Sequence, residues 1–139
     1  MTQQAISHHR RLYVWRGAAW LCVALITVLS LVPHDMEVRT PAPAGLEHAI
    51  AYAGTAGLMA LAYRSRSVWL ITGLLAAYSA LMELLQIFSP GRHPSLDGVL
   101  WSSAGTVIGA WGQAVMSGFF PVAGRIVRAN QPERTTGEE

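Results

Sequence analysis

Leu70-Ile-Thr-Gly-Leu-Leu-Ala-Ala-Tyr-Ser-Ala-Leu-Met-Glu83-Leu-Leu-Gln86-Ile-Phe88 reads as a membrane span interrupted by one carboxylate. Its length meets the roughly 17–25 apolar residues that a helical span requires. Glu83 is the anomaly. An ionisable side chain at membrane depth costs about 2.5 kcal/mol or more, so it faces a bundle interior or a watery cavity and finds a partner there. Gln86 stands one turn further along the same helical face. The next segment, Ser89-Pro-Gly-Arg92-His93-Pro-Ser95-Leu-Asp97, supplies the only nearby arginine and a second carboxylate.

The rest of the chain agrees with a membrane setting. Of 139 residues 52% are hydrophobic and 13% charged, about half the charge of a soluble domain. Stretches free of Asp, Glu, Lys and Arg cover 17–34, 49–63, 67–82 and 98–124. The first and last are long enough alone. The middle two reach span length only by drawing Leu46, Glu47, His48 and the 83–88 segment to the membrane boundary. The expectation is an all-α, four-transmembrane-helix bundle over 17–124, with a basic segment over 1–16 and a polar tail over 125–139 that reads as disordered.

Orientation follows from arginine, because the chain has no lysine. Arg10, Arg11 and Arg16 precede the first span, Arg64 and Arg66 join the second to the third, and Arg125, Arg128 and Arg134 follow the fourth. The positive-inside rule makes that side, with both termini, cytoplasmic. Arg39 and Arg92 fall outside, as do Asp35, Glu37, Glu47, Glu83 and Asp97. The location expected is the bacterial inner membrane. A cleaved signal peptide is the rival for the first span, with Ala42-Pro-Ala44 as a small-x-small site. Three charges, Asp35, Glu37 and Arg39, between Val32 and Ala44 favour a retained anchor.

Several functional classes receive no signal. The lone Cys22 forms no intrachain disulfide, metal-ligand spacing and glycine-rich phosphate loops are missing, and the arginines are too sparse for nucleic acid. No cofactor or metal is expected. Packing signals are clearer: Gly105-Thr-Val-Ile-Gly109 and the Ala49, Ala53, Gly57 series each offer a small-residue face for close helix approach. The two faces pack within one bundle, or one of them builds a homo- or hetero-oligomer. Trp15, Tyr63 and Trp69 form an expected cytoplasmic-side aromatic belt, and Phe88 and Trp101 an outer one.

The polar residues have structural explanations that compete with chemical ones. Glu47 opens the second span, where the helix dipole favours a carboxylate by about 0.3–1 kcal/mol. His48 and Tyr52 lie one turn apart and form a packed pair or part of a site. Ser95 and Asp97 suit the cap and first turn of the fourth span. Arg92 meets lipid headgroups or a ligand anion. Glu83 and Gln86 end the third span, where the dipole of their own helix disfavours a carboxylate, so no capping account removes them.

These residues, taken in order, suggest a family. Leu46-Glu47-His48-Ala-Ile-Ala51-Tyr52, then Glu83-x-x-Gln86-x-Phe88-x-Pro90-Gly91-Arg92-x-x-Ser95-x-Asp97, then a Gly-x-x-x-Gly helix, resemble the VanZ-like membrane proteins over about 15–115. The family takes its name from a teicoplanin-resistance protein. The resemblance implies a four-helix envelope protein without implying a known reaction. Two departures stand out. Ala44 and Gly45 occupy the place of a usual Asp-Lys pair. Gly98 and Ser102, or in another register Asp97 and Trp101, occupy the place of a usual Asp and Asn.

The function expected is recognition or processing of an envelope component, such as a lipid-linked precursor or amphiphilic glycopeptide, at the outer leaflet. Glu83 and His48 are the candidate catalytic pair, with Glu83 as proton acceptor if catalysis occurs. Arg92, Gln86, Glu47, Tyr52 and Asp97 are candidate binding residues, with Arg92 suited to a phosphate or carboxylate. The competing expectation is a non-enzymatic accessory or assembly subunit in which the cluster is internal glue. Membrane lipids are the surrounding partners in either case.

Overall fold

The computed structural model describes residues 3–36 and 41–129, and the side chains over 10–36 and 41–118. The described residues are all-helical: α1 (Gln3–Leu31), a 3-10 turn (His34–Met36), α2 (Ala44–Ala62), α3 (Val68–Leu85), a second 3-10 turn (Gln86–Phe88) and α4 (Leu96–Ala129). At 1.5 Å per residue, α2 and α3, with 19 and 18 residues, are each about 28 Å long. Among the described residues, two stretches, Arg10–Leu31 and Val68–Phe88, are long and apolar enough to cross a membrane.

Helix extents differ from the spans expected at both ends of the chain. Helix α1 begins at Gln3, so Arg10, Arg11 and Arg16, which precede the span expected from 17, lie within the helix. Helix α4 runs on to Ala129, past the start of the polar tail expected over 125–139. Residues 130–139, with Glu37 and Arg39, lie outside the described residues.

The helices alternate in direction. At one end, the arginine end, Trp20 Nε1 of α1 donates to the Tyr63 hydroxyl just past α2 at 3.0 Å. The Arg16 guanidinium sits 5.1 Å from the centre of the same ring. Trp69 of α3 meets Trp111 of α4 edge to face at 4.9 Å. The expected belt residues Tyr63 and Trp69 are therefore also the ties between helices. At the opposite end, the Glu83 end, α1 and α3 finish while α2 and α4 begin.

The tightest seam joins α2 to α4, and the two small-residue faces form it. A Cβ at Gly105 would overlap the Ala49 carbonyl, and one at Gly109 would overlap that of Ala53. Only glycine permits this approach. Thr55, Ser79 and Thr106 are also buried, each with its hydroxyl bonded to a carbonyl of its own helix, Ala51, Ala76 and Ser102 respectively. A hydroxyl satisfied in this way adds little bulk and asks nothing of the neighbouring helix. Large apolar side chains point the other way: Leu29, Ile50, Leu74 and Ile108 are all about two-thirds exposed.

Candidate functional site

Helix α1 ends at a proline, and the consequence reaches across the bundle. Pro33 has no N–H, so the Leu29 carbonyl lacks its usual donor four residues on. The segment after α3 supplies replacements. Arg92 N donates to Ser89 O at 3.2 Å, and Gly91 at φ +73° occupies the left-handed position that follows a proline in a type II turn. This turn carries Arg92 onto α1, where Nη2 donates to Leu29 O at 2.8 Å and Nε to Val32 O at 3.0 Å. Ser89 Oγ donates to Leu31 O at 2.9 Å, and His34 N returns a bond to Pro90 O at 3.2 Å. A cation at a helix C-terminus is also favoured by the helix dipole. The guanidinium of Arg92, a candidate contact for lipid headgroups or a ligand anion, caps α1, where uncompensated carbonyls lie.

Glu83 proves to be a capping residue for a helix other than its own. Ser95 Oγ accepts from Gly98 N at 3.0 Å, the usual N-cap bond at the start of α4. In a capping box an acid three residues into the helix would reach back to the cap N–H, but that place holds Gly98. Glu83 Oε2 does the task from α3, accepting from Ser95 N at 2.9 Å. The carboxylate lies so close to Gly98 that a Cβ there would overlap Oε1. The dipole of α3 disfavours this charge while that of α4 favours it. A capping account of Glu83 therefore exists after all, supplied across helices by α4 and not by α3.

Around this junction lies a cavity of about 470 Å³. Its deep wall holds the buried side chains of Tyr52, Glu83 and Gln86. Gln86 belongs to the 3-10 turn that continues α3. Tyr52 is backed by Tyr78, with ring centres 6.1 Å apart, and the Tyr78 hydroxyl is bonded to Thr27 Oγ1 at 2.8 Å on α1. Glu47, His48 and Arg92 line the cavity too, and the exposed residues His34, Gly91, His93 and Ser95 bring it to the surface. His48 Nδ1 is buried without a hydrogen-bond partner among the described residues. Leaving such a group unmet costs about 1–3 kcal/mol. No group of three or more His, Cys, Asp or Glu among the described residues is arranged to hold a metal ion.

Six of the seven candidate residues therefore converge and one does not. Asp97 is exposed in the first turn of α4 and does not line the cavity. The adjacent Gly98 takes the inward position, and successive helix residues are rotated by about 100°. The same holds one turn on: Ser102 is buried while Trp101 is half exposed. The Trp101 indole packs on Gly45 instead of serving only as a membrane anchor. Sequence reasoning did not single out Ser89, His34 or Tyr78 for this site. Pro33 followed by a short loop was the available signal for the first two, since it announces an unpaired carbonyl. No protein family matches this chain, and none of the curated proteins or solved structures compared with it is significantly similar.

Proposed function

We propose that this chain is a four-span protein of the bacterial cytoplasmic membrane, VanZ-like in character, whose cavity recognises or processes an envelope component at the outer leaflet. Large apolar side chains face outward on all four helices, including Ile50 on α2 and Ile108 on α4, as expected where lipid is the solvent. The inward faces of α2 and α4 carry the small and hydroxyl residues of the seam. Arginine at the ends of α1, α2 and α4 sets that end inside and the cavity outside.

The observation that carries the site reading is a cavity that reaches the surface and gathers Glu47, His48, Tyr52, Glu83, Gln86 and Arg92 in its lining, with His48 Nδ1 buried beside it without a hydrogen-bond partner among the described residues. A sealed polar core satisfies its groups internally; a binding site leaves one for its ligand. His48 and Glu83 are the groups suited to exchange a proton there. The second reading, internal glue, is favoured by the two capping roles, Glu83 at α4 and Arg92 at α1. Extraction of the purified protein followed by mass spectrometry separates the two. The site reading expects an envelope component retained by wild type and lost from His48→Phe at equal accumulation. Identical extracts from both would leave only the glue.

A further inference from the structure

We propose that the occupant is an amphiphile which enters sideways from the outer leaflet between α1 and α2, and whose head donates hydrogen bonds instead of carrying a phosphate. The proposal rests on the cavity being a binding site and adds the class of ligand and its path. The path is read from the apolar lining. Ile26, Leu29 and Ala51 border the same space as Glu83 and His48. Ala51 lies seven residues inside the start of α2 at Ala44, and Ile26 five residues before the end of α1 at Leu31. At 1.5 Å per residue the cavity descends about 10 Å below the helix ends, well past the depth a water-borne headgroup needs. Ala51 is exposed and Leu29 is 62% exposed, so the wall between α1 and α2 is open on the side that faces lipid.

Helix α1 is held at its end by Ser89 and Arg92, which belong to the segment after α3, and mid-way by the bond from Thr27 to Tyr78 of α3. These ties join the last turns of α1 to α3 and to the segment after it, and at that end the cavity takes its lining from both α1 and α2. A chain of methylenes along Ile26, Leu29 and Ala51 would place a polar head beside His48.

The chemistry of the head follows from the groups around it. Two carboxylates, Glu47 and Glu83, face the cavity. Two donors of the one guanidinium are committed to Leu29 O and Val32 O. A phosphate would bring a further negative charge beside both acids. Hydroxyl groups would donate to the carboxylates and to the side-chain amide oxygen of Gln86.

The test uses two photoactivatable probes with the same diazirine-bearing dodecyl chain, one a glucoside and one a phosphate, in phosphatidylcholine proteoliposomes of the full chain. Crosslinks are mapped by mass spectrometry, with Leu74, 63% exposed on α3, as the reference for plain lipid contact. The glucoside should label Ile26, Leu29 and Ala51 about tenfold above Leu74, the ratio that about 1.4 kcal/mol of preference produces. Ala51→Trp should remove the excess while leaving Leu74 labelling unchanged, and Ala51→Ser should keep it. Methyl glucoside, which has no chain, should not displace the probe. Displacement by methyl glucoside would overturn lateral entry while leaving the cavity a site. Equal or stronger labelling by the phosphate would overturn the assignment of the head. No excess with either probe would overturn the proposal; the retained component in wild-type extracts then decides separately whether the cavity is a site at all.

Discussion

The seam between α2 and α4 and the junction at the Glu83 end solve helix association in opposite ways. Along the seam glycines at 105 and 109 let backbone touch backbone, leaving no space and no unmet polar group from either residue. At the junction long polar side chains reach from one helix to cap another, Arg92 onto α1 and Glu83 onto α4. Such side chains hold elements together at a distance, and a cavity of about 470 Å³ opens among them. The contrast teaches that stability and function need not draw on the same contacts in so small a bundle. Removing bulk tolerance from the seam should break the fold, while changing charge at the junction should alter the site first.

The largest effect is expected at the seam. Gly105→Leu and Gly109→Leu must displace the Ala49 and Ala53 carbonyls, and overpacking of this kind costs about 1–3 kcal/mol, occasionally more. Backbone cannot rotate aside, so the upper end applies, and thermal unfolding in detergent should show a large loss or no folded protein. Gly54→Ala and Gly73→Ala sharpen the comparison, since nothing lies within 4 Å of a Cβ at either position. Their melting temperatures should match or exceed wild type, because alanine is preferred over glycine in a helix by about 0.5–1 kcal/mol.

Next comes Arg92→Lys. An ammonium cannot reach Leu29 O and Val32 O with the fixed fork that a guanidinium offers. Loss of a charge-assisted bond is worth about 1.5–3 kcal/mol, and the same melting experiment should report it. An Arg92→Lys protein as stable as wild type would show that the end of α1 needs no cap from the junction.

Much of this was legible in the sequence and some was not. The four helices, the Gly105 and Gly109 face and its Ala49 and Ala53 counterpart follow from local spacing, which the chain states directly. Glu83 as an anomaly was equally plain. Its partner was not, because an N-cap bond supplied from another helix has no sequence spacing: only the fold brings Ser95 N to Glu83. The cap that Arg92 makes on α1 was hidden for a related reason. The need that it meets is created by Pro33, about sixty residues away in the chain, and that need was never counted among its possible partners. Asp97 lies outside the cavity lining by a rotation of one residue.

Smaller effects refine the capping arrangement. Ser95→Ala removes the bond to Gly98 N but retains the backbone N–H that Glu83 accepts, so it should cost about 1 kcal/mol. Glu83→Gln keeps an acceptor oxygen for Ser95 N and loses only the charge at the start of α4, worth about 0.3–1 kcal/mol. It should therefore accumulate and melt close to wild type while losing the envelope component in extracts. A Glu83→Gln protein that retains the component in full would assign the residue to capping alone.

Accessibility of the cavity from outside is the most direct test of the central claim, that the junction holds an open site on the outer face. On a Cys22→Ser background, Ala51→Cys places a thiol on the cavity wall and Ser65→Cys places one in the turn at the arginine end. An impermeant cationic thiol reagent applied to intact cells should label position 51, while position 65 should react only after permeabilisation. Labelling at 65 but not at 51 in intact cells would contradict the orientation. A thiol at 51 that stays unreactive until the protein is unfolded would show a sealed core where a site is claimed.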